Sequence, residues 1–176
     1  MGIEERLTGG YPNSLGNTVS VVEEILDGNA SLDELMKCYR SDDEVVRLRV
    51  SNAVKRIALN KRALLLPYLD HFLNEISKLD QASTQWTIAR LFSIYREGMD
   101  EGQREKAERI MMRNLDAHND WIVLNESMKS MTEWVDHHPE QRDAVMDLLE
   151  RHAQDNRKSV RKTAQRCLGS LKKEIQ

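Results

Sequence analysis

The chain has 176 residues, 40% apolar and 31% charged, which is long enough for one domain with a real core. A net charge of −3 and a pI near 6.0 are not those of a dedicated nucleic-acid binder. The longest apolar run, Ala63 to Leu66, is far too short to cross a bilayer, and no membrane association is expected.

Residues 1–17 read as a flexible, loop-like lead. Gly2, Gly9, Gly10 and Gly16 crowd it, and Gly9-Gly10-Tyr11-Pro12-Asn13 forms a turn cluster. A basic segment followed by an apolar one is missing there, so no signal peptide is expected. Ser20 with Glu23, Ser31 with Glu34 and Ser41 with Glu44 have the spacing of capping boxes and mark three helix starts. Two short helices, near 19–27 and 32–39, form an atypical first pair. Helices then follow near 42–59, 65–79, 81–97, 103–117, 120–137, 139–154 and 157–173. Pro67 and Pro139 suit helix openings, Pro139 following His138. Three prolines in the whole chain and no alternating Val/Ile/Thr run argue for helices throughout.

Helix starts recur at Asp42, Asp80, Asp120 and Asn156, at intervals of 38, 40 and 36 residues. Four residues after each start come Val46, Thr84, Leu124 and Val160. Eight after come Val50, Ile88, Met128 and Ala164. Eleven after come Ala53, Leu91, Met131 and Cys167, and fifteen after come Ile57, Tyr95, Val135 and Leu171. Steps of four, three and four keep these positions on one helical stripe. Each interval ends in a second amphipathic helix, carrying Phe72, Leu73 and Ile76, then Ala107, Ile110 and Met111, then Val145, Leu148 and Leu149. A period in this range marks stacked supersecondary units, since one helix pair cannot bury its apolar face alone. A single domain over 18–176 is expected.

Over about residues 42–174 the chain resembles the HEAT-repeat family. The resemblance rests on Asp42 followed by Val46-Arg47, Val50 and Val54, on Val160-Arg161 with Ala164 and Leu168, and on Pro67 before a second helix. The second and third units depart from it, with Thr84-Gln85 and Leu124-Asn125 where valine–arginine is the pattern. Armadillo-like repeats share the same logic. The resemblance implies an all-α, right-handed α-α superhelix of stacked helical hairpins. It also implies a concave wall formed by the second helix of each pair. The polar positions expected on that wall are Asp70, Asn74, Arg109, Arg113, Asn114, Asp147 and Arg151.

Residues 151–176 carry eight basic groups against Asp155 and Glu174. That makes the segment +6 and leaves −9 for the rest. The first reading is that these groups form the polar outer side of a terminal helix. The second is that Arg157, Lys158, Arg161, Lys162 and Arg166 contact phosphate or an acidic partner. No aromatic residue lies in the segment to stack on bases.

Cys38 and Cys167 have no metal or disulfide spacing, which fits a reducing cytoplasm. His137-His138 lacks a second ligand at helical spacing, so no metal or other cofactor is expected. Phosphate-binding, dinucleotide and nucleophile-elbow motifs are missing. Met111, Met128, Met131 and Met146 fit core packing, and Met112 is the least constrained. The functional expectation is therefore a non-catalytic scaffold that binds a protein or peptide partner through the concave surface. One alternative, implied by the fold resemblance alone, is a nucleic-acid-binding relative of HEAT-like alkylpurine DNA glycosylases; Trp86, Trp121 and Trp134 and Asp70, Asp116 and Asp120 are present, but none of these aspartates maps onto a catalytic role. The other is a self-associating structural module. The oligomeric state is left open.

Overall fold

The computed structural model describes residues 1–11, 14–135, 137 and 139–173. Pro12 and Asn13 of the expected turn cluster, His138, and Glu174 of the basic segment lie outside them. The helices are α1 (Ile3–Leu7), α2 (Thr18–Leu26), α3 (Leu32–Lys37), α4 (Glu44–Asn60) and α5 (Leu69–Asn74). They continue as α6 (Ala82–Tyr95), α7 (Glu101–Ala117), α8 (Trp121–Val135), α9 (Arg142–His152) and α10 (Lys158–Lys173). No strand occurs among the described residues. The chain groups into two compact units, residues 1–87 and 88–176, and each is described by itself.

In the first unit α2 and α1 pack on α4, and α1 also touches α3. The sequence predicts a loop-like lead, yet residues 3–7 form α1, whose Ile3 and Leu7 are buried. The cause is Arg49, on the buried side of α4 and only 2% exposed. Its guanidinium donates to the carbonyls of Leu7 and Gly9 at 2.6 Å, Ser14 at 3.0 Å and Tyr11 at 3.2 Å. A guanidinium carries five fixed donors and is weakly hydrated, so a ring of backbone carbonyls can satisfy it away from water. Gly16 belongs to the same arrangement. Its φ is +51°, and a Cβ there would stand 3.0 Å from the Arg49 guanidinium carbon.

The helix starts are legible but shifted. Ser31 caps α3 by accepting from the Glu34 amide at 3.3 Å. The Glu34 carboxylate, however, reaches the Ile3 amide at 2.8 Å, so this box is half closed and ties α1 to α3. Asp43, rather than Asp42 or Ser41, caps α4 by accepting from the Val45 amide at 2.8 Å. Ser20 caps nothing. It lies inside α2 and joins Glu24 and Arg6, whose ion pair spans 2.5 Å. The continuous helix expected near 65–79 is broken into a 3-10 stretch over Arg62–Tyr68, the short α5, and a 3-10 turn over Ile76–Lys78. Pro67 sits inside the first stretch. It has no N–H to give and its ring crowds the preceding turn, so regular α-helix begins only at Leu69.

In the second unit α8 packs between α7 and α10, and α9 packs against α10. A complete capping box, Asp100 with Gln103, opens α7, where no helix start is expected as early as Glu101. Asp120 caps α8 by accepting from the Ile122 and Val123 amides at 2.8 and 3.1 Å. Trp134 is fully buried. Its Nε1 donates to Glu108 at 3.2 Å, and the Arg96 guanidinium carbon lies 5.5 Å from its ring centroid. Burial holds the Arg96 pKa below the usual arginine value.

Every position of the four sequence columns is buried, from Val46 to Leu171, including Thr84, the one polar member. Helices α8 and α10 differ in how much else they hide. Helix α8 buries Val123, Asn125, Ser127, Ser130 and Trp134 beside its column, as a helix with neighbours on several sides must. Helix α10 buries one stripe, Val160, Thr163, Ala164, Cys167, Leu168 and Leu171.

Replacing Arg49 by methionine strips four carbonyls of their donor while keeping the stem. The account predicts a loss of about 2–4 kcal/mol in urea unfolding, with fast amide exchange at residues 3–8. The Arg49→Lys variant, whose ammonium reaches fewer carbonyls, is predicted to fall between.

Candidate interaction grooves on the second helices

In sequence order, α3, α5, α7 and α9 are the second members of their pairs. In each unit a groove opens between two of them. The groove of the first unit, about 420 Å³, is lined by Asp33, Met36, Lys37 and Arg40 from α3 and the turn after it, and by Tyr68 and His71 from the α5 side. Its walls are cross-linked by charge. The Tyr68 hydroxyl donates to Asp33. Burial, and then the Asp33 carboxylate, push the Tyr68 phenol up to about 12. Glu75 pairs with Arg40 at 3.0 Å and with His71 at 3.2 Å, which lowers its pKa, Arg40 contributing most.

The groove of the second unit, about 430 Å³, is lined by Glu101, Arg104, Glu105, Glu108 and Arg109 of α7 and by Glu140 and Gln141 ahead of α9. Arg104 is turned toward the Met99 carbonyl. Arg109 lies 3.6 Å from Glu105 on an exposed helix face.

The residues expected on the concave wall divide accordingly. Arg109 lines the second groove. Asp70, Asn74, Arg113 and Asp147 are exposed on α5, α7 and α9 outside either lining. Arg151 bridges α9 to α7, donating to the Asp116 carboxylate at 2.8 Å and to its carbonyl at 2.6 Å. Asn114 departs from expectation. It is 3% exposed because it continues the Ala107, Ile110 and Met111 stripe, and its Oδ1 accepts from Arg113. Tyr68, His71 and Glu75 are missed by the sequence reading, which placed them on an unbroken helix. The four-residue spacing of His71 and Glu75 is the signal that marks them.

The basic segment also divides. Arg157 is held by Asp155, with Nε at 2.9 Å and Nη2 at 2.6 Å from its carboxylate, and donates to the Asn119 carbonyl at 2.5 Å. Arg161 donates to the Asp155 carbonyl at 2.7 Å. Both serve the turn into α10. Lys158, Lys162 and Arg166 are exposed. Asp120 is occupied as a helix cap and Trp134 is buried, so neither offers the free carboxylate or open aromatic that base chemistry requires. Met111 is buried and Met112 half-buried. No group of three or more His, Cys, Asp or Glu side chains is placed to hold a metal ion among the described residues. No helix is long and apolar enough to cross a membrane among them either.

No protein-family model matches the chain, and no curated protein matches it. Solved structures do. An engineered protein solved as a crystal structure by the Northeast Structural Genomics Consortium is 19% identical, with a TM-score of 0.68 over 97% of this chain and 80% of that one. A designed armadillo repeat protein is 17% identical, with a TM-score of 0.54 over 96% of this chain and 80% of that one. The fold is thus an all-α superhelix of helical repeats, armadillo-like in its neighbours.

Arg157 holds the Asp155 carboxyl down at about 2, first through the side-chain hydrogen bond. A carboxylate with a depressed folded pKa stabilises the fold above its unfolded value of about 4 and loses that contribution as pH falls toward 2. The Asp155→Asn variant is therefore predicted to be less stable than the parent at neutral pH. The gap closes between about pH 4 and 2, as followed by thermal unfolding across that range.

Proposed function

We propose that this is a non-catalytic interaction scaffold whose working surface is formed by its second helices and which holds a protein or peptide partner. The observation that carries the reading is that the second helices keep Asp70, Asn74, Arg109, Arg113, Asp147 and Arg151 exposed, with a groove opening beside them in each unit. The second groove is lined mainly by charged side chains, and the first by charged ones together with Met36, Tyr68 and His71. A helical-repeat frame supports this use. Its surface residues stand on rigid helices whose other sides are packed, so little ordering entropy is lost on gripping a partner. The positions proposed as contacts are Asp70, Asn74, Arg109, Arg113, Asp147 and Arg151, now without Asn114. The two cysteines, free and buried, suit a reducing cytoplasm.

Photo-crosslinking amino acids placed at Asn74 or Arg109, and at Lys55 or Lys129 on exposed first-helix positions, test the assignment in extracts of the native host. The proposal expects the same discrete adducts from Asn74 and Arg109 and none from Lys55 and Lys129. Adducts formed equally from all four, or only from the first helices, contradict it.

A further inference from the structure

Helix α10 is one-sided. At 3.6 residues per turn, Lys158, Lys162, Arg166 and Lys173 fall within an arc of about 80°, opposite its buried stripe, and run about 22 Å along the axis. No acidic residue lies between Lys158 and Lys173. Gly169 sits in the middle of this row with nothing within 4 Å of where a Cβ would stand, so the face is flat and open. Arg157 and Arg161 are engaged by the turn ahead of the helix, and Lys172 lies 3.5 Å from Glu150. The row itself is left to solvent.

The complementary surface lies at the other end of the sequence. Beside α1 and α3 a groove of about 580 Å³ is lined by Gly2, Glu4, Glu5, Thr8, Glu34, Lys37 and Cys38, three carboxylates against one ammonium. Its negative field registers at Cys38, whose thiol is pushed up to about 11 by burial and then by Glu4 and Glu34. Glu4 and Glu5 are exposed. Outside residues 151–176 the chain carries −9, which repels a polyanion such as nucleic acid but attracts a basic face on another molecule.

We propose that the basic face of α10 docks on the acidic α1–α3 groove of a second copy of this chain. The contact is heterologous, since the two faces differ. A pair of molecules therefore keeps one unused face of each kind and can add further copies unless the arrangement closes. It is built from exposed charges, which are individually weak and screened by salt. The association is thus concentration-dependent and reversible by salt.

Sedimentation velocity of the full chain tests this. Self-association is expected at about 50 mM salt and up to about 0.5 mM protein, weakening at least about tenfold at about 500 mM salt. The triple variant K158E/K162E/R166E and the double variant E4K/E5K are each expected to be monomeric. Mixed in equal amounts they are expected to associate again, because the intact acidic groove of the first variant meets the intact basic face of the second, and the two reversed faces also match. Circular dichroism checks that both variants fold, and glutamine at the same positions replaces a reversal that does not. A parent chain that stays monomeric throughout overturns the proposal, as does a mixture that does not associate. It is also overturned if the α10 variant self-associates like the parent while losing binding to a labelled DNA duplex, which would make the face a nucleic-acid contact.

Discussion

A helix hairpin standing alone leaves half of its apolar stripe in water. The first helices here carry that stripe at four, eight, eleven and fifteen residues from each start, and every one of those positions is buried. Side chains removed from water at this spacing need a partner surface along the whole helix, and only neighbouring helices offer it. In the second unit α8 shows the consequence, with α7 on one side, α10 on another and α9 touching it as well. The second helices bury apolar stripes of their own and keep charged residues such as Arg109, Asp147 and Arg151 exposed. The proposed contacts depend on this division within each helix, one side spent on cohesion and the other left facing solvent.

The start of the chain solves a different problem. A buried arginine is costly unless its donors are met. Arg49 meets them with carbonyls of the lead, so the cation and the loop stabilise each other, and the glycines let the backbone close round the guanidinium. Glu34 adds a second tie through the Ile3 amide. The lead thereby becomes part of the first unit, and the acidic groove beside α1 exists because of it.

How much of this was legible in the sequence follows from which forces are local. The columns and helix spans are periodic, so they could be read, and Asp120 could be recognised as a cap from its place before an apolar run. Arg49 could not. It stands one residue before Val50 on the apolar side of a helix, and its partners lie more than thirty residues away, in a glycine-rich stretch that composition alone marks as loose. Asn114 is buried against the sequence expectation for a related reason. A polar residue on the stripe of Ala107, Ile110 and Met111 is placed by the stripe and not by its polarity. Pro67 signals a helix opening in the sequence, whereas the chain spends Arg62–Tyr68 in 3-10 turns before α5 begins. The charge of residues 151–176 was evident. What could not be read was its division into Arg157 and Arg161, which hold the turn, and Lys158, Lys162 and Arg166, which do not.

The most direct test of this division is the reactivity of single cysteines moved along one first helix of each unit, in a chain with Cys38 and Cys167 replaced by alanine. On α4 and α10 the account predicts slow thiol labelling at Val46, Val50, Ala53 and Ile57, and at Val160, Ala164 and Leu171. It predicts fast labelling at Lys55, Arg56, Lys162 and Gln165, giving a rate profile with the 3.6-residue helical period. Rates that vary little along either helix, or that are fast at the column positions, would contradict it.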